Sequence, residues 1–207
     1  LWPRASLVVG VAVAEAIAEQ TGVDVRLKWP NDLLVRHEGA WRKAGGILCE
    51  RYDRSGSGSA SNGAGAPAPL WIAGIGIDTS IARGDFPALL REHVASLSWI
   101  VDAPDRHNLA VATATAVRRS VERWQQRGGQ LDTARLRERM VFIGNVVSLD
   151  HGDGKAAETV QLLDIADNGG LLVRRGATDV VVQPLQIVAA ETQPPWQAPP
   201  RLAREPA

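Results

Sequence analysis

The chain has 207 residues, of which 45% are hydrophobic and 22% are charged, as is ordinary for a globular protein. Basic and acidic residues both number 23, so a net charge of zero gives no electrostatic support to non-specific binding of nucleic acid or a membrane surface. The single cysteine, Cys49, excludes an intramolecular disulfide and a cysteine-rich metal site. We find no apolar run of about 18 residues and no secretory signal, and therefore expect a cytoplasmic protein without a membrane partner.

The first quarter of the chain predicts a buried helix followed by short strands. Ser6 can cap a helix over about 7–20, whose apolar residues surround most of its circumference, and Gly22 predicts its end. Alternating apolar and polar residues then predict a strand at 23–29. Two further strands are expected at 33–35 and 41–51, with a turn at 37–39 between them.

The middle of the chain predicts a linker, a strand and three helices. Residues 53–69 form a low-complexity Gly/Ser/Ala/Pro segment, which we expect to be a disordered loop inside the domain. The apolar run at 70–77 is typical of a strand buried on both faces. Helices are expected over 86–97, over 106–127 with Asp102 or Asp105 as the N-cap, and from Asp132 or Thr133 to about 140.

The region from 145 to 191 changes to short apolar strands separated by the turn sequences HGDGK, DNGG and GAT. Turn signals at a spacing of about 8 to 12 residues are typical of a small all-β barrel. The Pro-rich tail from residue 192 onward is predicted to be disordered.

A dense group of polar residues follows the first predicted strand. Lys28 and Lys43 supply positive charge, and Asn31 and Asp32 stand at a strand end behind a proline. The glycine pair at 45–46 weakens the next strand, which often marks close approach of a ligand to the backbone. These groups suit an anion such as a carboxylate or a phosphate, and a carboxylate beside a phosphate can also hold Mg²⁺.

Simpler interpretations of the same residues stay open. A lysine or aspartate at a strand end is more often a solvated surface charge, and Trp29 is more often part of a core than a ligand platform. The chain has no GxxxxGK[ST] loop and no GxGxxG opening a helix. The residues alone therefore predict an anion-binding cleft and do not name the anion.

Two motifs closely resemble those at the centre of biotin protein ligases, the biotin–[acetyl-CoA-carboxylase] ligases. Residues 28–33 read KWPNDL, and residues 42–50 read RKAGGILCE, similar to the family's K-x-x-G-I-L-x-E strand. The helix before them, the GIGI sequence at 74–77 and the region entered at Phe142 also look like the family. The resemblance extends from residue 1 to about residue 191.

The resemblance implies an α+β fold with a mixed sheet and helices like that of class II aminoacyl-tRNA synthetases and biotin ligases, followed by a small SH3-like β-barrel. The implied domains are a catalytic domain at 1–141 with 53–69 as an inserted loop, an SH3-like domain at 142–191 and a disordered tail at 192–207.

The implied activity is the ATP-dependent conversion of biotin to biotinyl-5′-AMP, followed by transfer of the biotinyl group to a lysine of a biotin carboxyl carrier protein domain of an acetyl-CoA or acyl-CoA carboxylase. ATP, biotin and Mg²⁺ are the implied substrates and cofactor. By the same resemblance Lys43 and Asp32 are catalytic residues, and Asp32 is also a candidate Mg²⁺ ligand. The residues implied to contact biotin or the adenylate are Lys28, Trp29, Asn31, Gly45, Gly46, Asp78 and Trp99.

Two departures from the family pattern bear on activity. The family reads GIGIN where this chain has Asp78 after GIGI, and ionised aspartate only accepts hydrogen bonds. The family's GRGRxGR loop is absent from this sequence, so we expect that the N-terminal part of the catalytic domain lies outside it. No helix-turn-helix precedes the catalytic region, so no DNA partner is expected, and a homodimer stays open. The alternatives are an inactive homologue acting as a binding or regulatory module, and a lipoate or octanoyl transferase relative.

Overall fold

The computed structural model describes residues 2–52, 70–102, 104–192 and 196–198. This part of the chain combines α-helices with two antiparallel sheets, which confirms the expected α+β class. The helices are α1 at Trp2–Thr21, α2 at Arg106–Gln126 and α3 at Thr133–Arg139. The first sheet has the order β1-β2-β3-β4, with β1 at Val25–Lys28, β2 at Asp32–His37, β3 at Ala40–Tyr52 and β4 at Leu70–Ile77.

The second sheet has the order β10-β9-β5-β6-β7-β8. Its strands are β5 at Val146–Asp150, β6 at Glu158–Ile165, β7 at Leu171–Arg175, β8 at Thr178–Val182, β9 at Gln186–Ala190 and β10 at Trp196–Gln197. Within the ranges described, no helix has both the length and the apolar character needed to cross a membrane.

Helix α1 is buried, as its apolar circumference predicts, and it packs on the first sheet and on α2. It ends at Gly22, whose φ of 74° is left-handed and whose N–H donates to the Ala18 carbonyl at 2.8 Å. The predicted N-cap at Ser6 is wrong. The helix already begins at Trp2, so Ser6 lies inside it and is buried.

Strand β4 is exposed, so the prediction of a strand buried on both faces is wrong. Leu70 and Ile72 are exposed, at 51% and 48%, and Trp71 is exposed at 37%. The strand is the last in the sheet order, and no other described strand pairs with its outer edge. Apolar composition alone does not show whether a neighbour covers a strand. The linker predicted at 53–69 lies outside the described residues.

The helix predicted at 86–97 is absent from the described structure. The segment instead forms short 3₁₀ turns at Arg83–Asp85, Ala88–Leu90 and Leu97–Trp99. Between the last two turns the backbone runs beside β3: the Lys43 N–H donates to the His93 carbonyl at 2.8 Å, and the Ala95 N–H donates to the Lys43 carbonyl at 2.9 Å. These hydrogen bonds to β3 replace those that a helix would make within itself.

The predicted boundaries of α2 and α3 are largely confirmed. Of the candidate caps, Asp105 accepts backbone hydrogen bonds at the start of α2, and Asp132 accepts one from the Arg135 N–H at the start of α3. Gly128 and Gly129 both have positive φ beyond the end of α2. These two caps could be predicted because an N-cap aspartate bonds to N–H groups of the next turn, whereas the predicted cap at Ser6 failed because α1 begins earlier.

The second sheet is open, and among the described residues no closed barrel is found. Strands β8 and β10 stand at opposite ends of the strand order and do not pair with each other. The spacing of turns predicted the antiparallel strands correctly but could not predict closure, which depends on how the first and last strands meet. The expected SH3-like barrel is therefore not found, and the domain boundary at 141 stays a prediction.

The disordered tail predicted from residue 192 is wrong at Trp196 and Gln197. Trp196 pairs with Ala190 of β9 and is only 6% exposed, and its ring centroid lies 5.0 Å from that of Phe142. Burial of a large indole ring supplies the stabilisation that a Pro-rich composition does not suggest. Residues 199–207 lie outside the described part of the chain.

Candidate functional site

Two lysines and one aspartate meet where β1, β2 and β3 lie side by side. Nζ of Lys28 is 2.7 Å from Oδ2 of Asp32, and Nζ of Lys43 is 2.5 Å from Oδ1 of the same carboxylate. Lys28 is 1% exposed and Asp32 is 8% exposed, whereas 35% of the Lys43 side chain remains accessible. The group therefore has a buried side at Lys28 and an open side at Lys43.

A β-bulge places Lys43 on the face of the sheet that carries Asp32. Leu34 pairs with Lys43 after a register shift that leaves Ala44 as an extra residue in β3. Cross-strand partners share a face, and so do Leu34 and Asp32, which are two residues apart in β2. Without the shift Lys43 would oppose Val35 and lie on the other face.

The charges of the three groups are mutually dependent. Burial by itself raises the pKa of Asp32, but the ammonium groups of Lys28 and Lys43 outweigh this effect and hold that pKa below its usual range. Burial lowers the pKa of Lys28, and the charge of Asp32 only partly compensates. Asp32 is consequently an ionised carboxylate shared by two cations at neutral pH.

Trp29 is part of the core rather than a wall of an open cleft. It is 2% exposed, and its Nε1–H donates at 2.9 Å to the carbonyl of Gly169, in the turn between β6 and β7. The simpler interpretation of this residue as core filling therefore matches its position. Asn31, by contrast, is half-buried and ties the β1–β2 connection to β3, because its Nδ2–H donates to the Ile47 carbonyl at 2.8 Å.

The two glycines of β3 have different surroundings. A Cβ on Gly45 would overlap the carbonyl oxygen of Gly76 in β4, so close contact of the two strands requires glycine there. A Cβ on Gly46 would lie 3.6 Å from Cε and 3.7 Å from Nζ of Lys43, which are ordinary contact distances. Gly46 therefore lies beside the Lys43 ammonium group at a position where no close contact requires glycine.

Asp78 follows β4 and belongs to the same region. Its N–H donates to the Ala44 carbonyl at 2.8 Å, and its own carbonyl accepts a hydrogen bond from the Leu97 N–H at 2.8 Å. Burial raises the pKa of the Asp78 carboxyl, an effect that the charge of Lys43 opposes in part. Asp78 therefore retains its proton to higher pH than an exposed aspartate.

Trp99 belongs to a small aromatic cluster. Its Nε1–H donates to the Ile81 carbonyl at 2.9 Å, and its ring centroid lies 5.5 Å from that of His37 and 5.9 Å from that of Phe86. The side chain is half-buried, so part of the indole remains accessible. The sequence predicted neither His37 nor Phe86 as its neighbour.

Two contacts of Lys28 come from the distant end of the chain and were missed in the sequence. The Ile187 carbonyl of β9 accepts a hydrogen bond from Lys28 Nζ at 3.3 Å, and the ring centroid of Trp196 in β10 lies 5.2 Å from the same atom. No local pattern around either residue points to this contact. Only a tryptophan standing alone in a Pro-rich segment offers a hint of it.

The surroundings of Asp32 do not fit a Mg²⁺ ligand. Each carboxylate oxygen is within hydrogen-bond distance of an ammonium group, and two adjacent positive charges repel a divalent cation. In the described ranges no group of three or more His, Cys, Asp or Glu side chains is placed to hold a metal. We therefore assign no chemical step to Mg²⁺ at Asp32.

The N-terminal part of the chain is similar to a known protein family. Residues 2–65 match the model of the Biotin/lipoate A/B protein ligase family. The fold is similar to that of a biotin protein ligase from Aquifex aeolicus in complex with biotin and ATP, with a TM-score of 0.68, 21% identity, and coverage of 89% of this chain and 70% of that chain. Identity this low shows the fold alone.

Curated relatives match a larger part of this chain than the family model does. The chain is 29% identical over 153 residues to the Bifunctional ligase/repressor BirA of Escherichia coli (strain K12), covering 72% of this chain and 41% of the relative. It is 28% identical over 184 residues to the protein of the same name from Salmonella typhimurium, covering 86% and 50%. The chain thus spans half or less of the length of these relatives. In sequence the chain is thus similar to these ligase/repressors, and in fold to biotin protein ligases.

These relatives are named as repressors as well as ligases. The expected absence of a DNA partner stays a prediction, and a homodimer stays open.

Proposed function

We propose that the protein activates biotin with ATP and then biotinylates a lysine of a biotin carboxyl carrier protein domain. In the first step a carboxylate oxygen of biotin attacks the α-phosphorus of ATP, forming biotinyl-5′-AMP and releasing pyrophosphate. In the second step the amine of the carrier lysine attacks the acyl carbon, AMP leaves, and the amine loses a proton. Similarity to the Biotin/lipoate A/B protein ligase family and to the ligase/repressor of Escherichia coli supports this choice of reaction.

The half-exposed ammonium of Lys43 beside a buried carboxylate is the observation that carries the proposal. The first step brings two anions together, and two unit charges about 4 Å apart near a protein surface repel by about 4 kcal/mol. A cation held between them offsets this repulsion and stabilises the charge that develops at phosphorus. Lys43 can take this role, since its ammonium is both accessible and positioned.

Asp32 is proposed to act by holding Lys43 rather than by touching substrate. Its Oδ1 lies 2.5 Å from the Lys43 ammonium, and its other oxygen is engaged by Lys28 at 2.7 Å. A lysine side chain is flexible, so a buried anchor reduces the conformational freedom that would otherwise be lost when substrate binds. Lys28 supports the same arrangement from the buried side.

The surroundings of Lys43 suggest where each substrate group lies. Gly46 is half-buried and has no side chain beside the ammonium, which suits close approach of the biotin carboxylate. Asp78 is proposed to face the nucleotide, where a protonated carboxyl would donate a hydrogen bond and an ionised one would repel phosphate. Trp99 retains accessible ring surface against which adenine can pack.

The direct test is biotin-dependent exchange of labelled pyrophosphate into ATP by the purified protein. We expect exchange with biotin and none when biotin is omitted, because exchange requires reversible formation of biotinyl-5′-AMP. Transfer is then measured as covalent biotin on a purified carrier domain, with a carrier whose acceptor lysine is replaced by arginine as the control.

The same assay separates the proposal from its alternatives. The matching family includes lipoate ligases, so lipoate is supplied in parallel with biotin. Exchange that requires lipoate and not biotin would replace the proposed substrate. If neither acid supports exchange in a folded protein, and calorimetry shows binding of biotin without turnover, the protein is a binding module and the proposed catalysis is wrong.

A further inference from the structure

The ammonium group of Lys28 has three close partners, two of which belong to the second sheet. Oδ2 of Asp32 lies 2.7 Å away, the Ile187 carbonyl accepts a hydrogen bond at 3.3 Å, and the ring centroid of Trp196 lies 5.2 Å from Nζ. Lys28 is 1% exposed. A lysine ammonium has three N–H groups, so these three partners can account for all of them without solvent.

The position of Trp196 is held independently of Lys28. Its backbone pairs with Ala190 of β9, and the N–H of Ala198 just beyond it donates to the Val188 carbonyl at 2.7 Å. The ring also lies beside that of Phe142, at a centroid distance of 5.0 Å. The indole is thus fixed by its own strand and by an aromatic neighbour, and Lys28 meets a preformed surface.

We propose that Trp196 is a positioning residue, whose ring stabilises Lys28 as a charged ammonium so that Lys28 can hold Asp32 in place against Lys43. The contacts form a continuous series from the indole to Lys28, from Lys28 to the Asp32 carboxylate, and from that carboxylate to the accessible Lys43 ammonium. The second sheet thereby contributes to the order of the site through a side chain that touches no substrate.

The physical reason is the cost of burying a charge. Burial lowers the pKa of Lys28, and the negative charge of Asp32 raises it only in part. The positive charge of Lys43 lowers this pKa further. An indole face attracts a cation, and the attraction is strongest where water is excluded. Without the Trp196 ring, the charged form of Lys28 loses this attraction, and Lys28 loses its proton at a lower pH. Neutral Lys28 would leave Lys43 as the single cation beside Asp32, and less of the Lys43 charge would be available to an anionic substrate.

Lysine titration by NMR tests the first part of the proposal without any assay of catalysis. The chain contains only three lysines, at 28, 43 and 155, so protein labelled with ¹³C at lysine Cε gives three side-chain signals. We compare the intact chain with Trp196→Phe, which retains an aromatic face, and Trp196→Leu, which retains apolar volume without one. The Lys28 midpoint is expected to fall in Trp196→Leu by about 0.4 to 1.5 pH units, the range of a partly to fully desolvated cation–π contact. In Trp196→Phe the Lys28 midpoint is expected to stay close to that of the intact chain, because an aromatic face is retained.

Phe142→Leu is the matched control. It removes the aromatic neighbour of Trp196 without removing the ring beside Lys28, so it is expected to lower stability and leave the Lys28 midpoint unchanged. An unchanged midpoint in a folded Trp196→Leu variant overturns the proposal, as does an equal fall in all three variants. If Trp196→Leu does not fold, the unsubstituted chain decides: the Cε protons of Lys28 must show the upfield ring-current shift of a group above an indole face, and its absence overturns the contact.

The catalytic consequence rests on the proposed function and is measured separately. In pyrophosphate exchange we expect Trp196→Leu to lower kcat by about twofold to thirtyfold, with the alkaline limb of the pH profile moved to lower pH and Trp196→Phe near the unsubstituted value. If no variant shows exchange, the proposed function fails while the lysine titration still tests the role of Trp196. A fall in kcat with no movement of the pH profile would show loss of stability rather than positioning.

Discussion

Nζ of Lys43 lies 2.5 Å from Oδ1 of Asp32, although the regular alternation of β3 would place the two side chains on opposite faces of the sheet. The extra residue at Ala44 shifts the register and turns Lys43 toward the carboxylate. A buried anion and a half-exposed cation are thus joined by a local irregularity of one strand.

Lys43→Ala is expected to lower biotin-dependent pyrophosphate exchange by about 10² to 10³-fold, the usual effect of removing one preorganised group that stabilises transition-state charge. The matched control is Lys155→Ala, since that side chain is 82% exposed in the loop between β5 and β6, where it pairs with Asp153. Exchange by Lys43→Ala at the rate of the control would exclude the role proposed for Lys43.

Asp32→Asn is expected to lower the free energy of unfolding by about 3 to 5 kcal/mol, because it leaves the buried ammonium of Lys28 without its carboxylate. Urea denaturation monitored by circular dichroism measures this change. Asp153→Asn removes an exposed carboxylate from its lysine partner and serves as the control, with little expected effect. Equal stability of the two variants would show that the Asp32 carboxylate does not compensate the cost of burying the Lys28 charge.

The stabilisation from Asp32 should also depend on pH in a defined direction. Its pKa is lower in the folded protein than the ordinary 3.8, so the unfolded chain binds the proton first as pH falls. The stability that this carboxylate contributes is therefore complete above its unfolded pKa and is lost as pH falls through the folded value. Unfolding free energies of the unsubstituted protein and Asp32→Asn, measured from pH 6 downward, should differ by a constant amount above about pH 4 and converge as pH falls further, through the folded pKa. A constant difference at all pH values would contradict the depressed pKa.

Gly45→Ala and Gly46→Ala form a matched pair of substitutions in adjacent residues. Alanine at 45 would overlap the Gly76 carbonyl, so we expect a loss of about 1 to 3 kcal/mol of stability or more. Alanine at 46 meets only ordinary contacts, and we expect near-normal stability with a raised KM for biotin. Thermal unfolding and exchange kinetics distinguish them. An equal loss of stability in the two variants would show that Gly46, like Gly45, is required for packing, and would contradict its separate role beside biotin.

Asp78→Asn is expected to maintain or lower the KM for ATP in the exchange assay. Burial raises the pKa of Asp78, so its carboxyl ionises only as pH rises above the ordinary aspartate value. The ionised form repels phosphate, whereas the amide is neutral at every pH. The advantage of the variant should therefore grow with pH across that ionisation. A large rise in the KM for ATP would show that the carboxylate itself is required.

The local features of the fold follow closely from the sequence. Gly22 ends α1 where its left-handed φ is needed, the turn predicted at 37–39 is formed with positive φ at Glu38 and Gly39, and Asp105 and Asp132 cap their helices. Each depends on residues within about one helical turn of each other. Predictions that depended on distant neighbours were less successful, as the exposed β4, the 3₁₀ turns in place of a helix at 86–97 and the open second sheet show.

The site divides in the same way. The sequence by itself determined which groups are present, since Lys28, Asp32 and Lys43 lie in two recognisable motifs joined by a short hairpin. Only the tertiary structure decided their states. Burial of Lys28 against Trp196, across most of the length of the chain, makes one lysine an internal charge. The bulge at Ala44 brings the other to the same carboxylate, where its side chain stays 35% exposed. The desolvation of a side chain depends on residues that pack on it from outside its own motif. Lys28 and Lys43 therefore differ in exposure, and only Lys43 is open to a substrate.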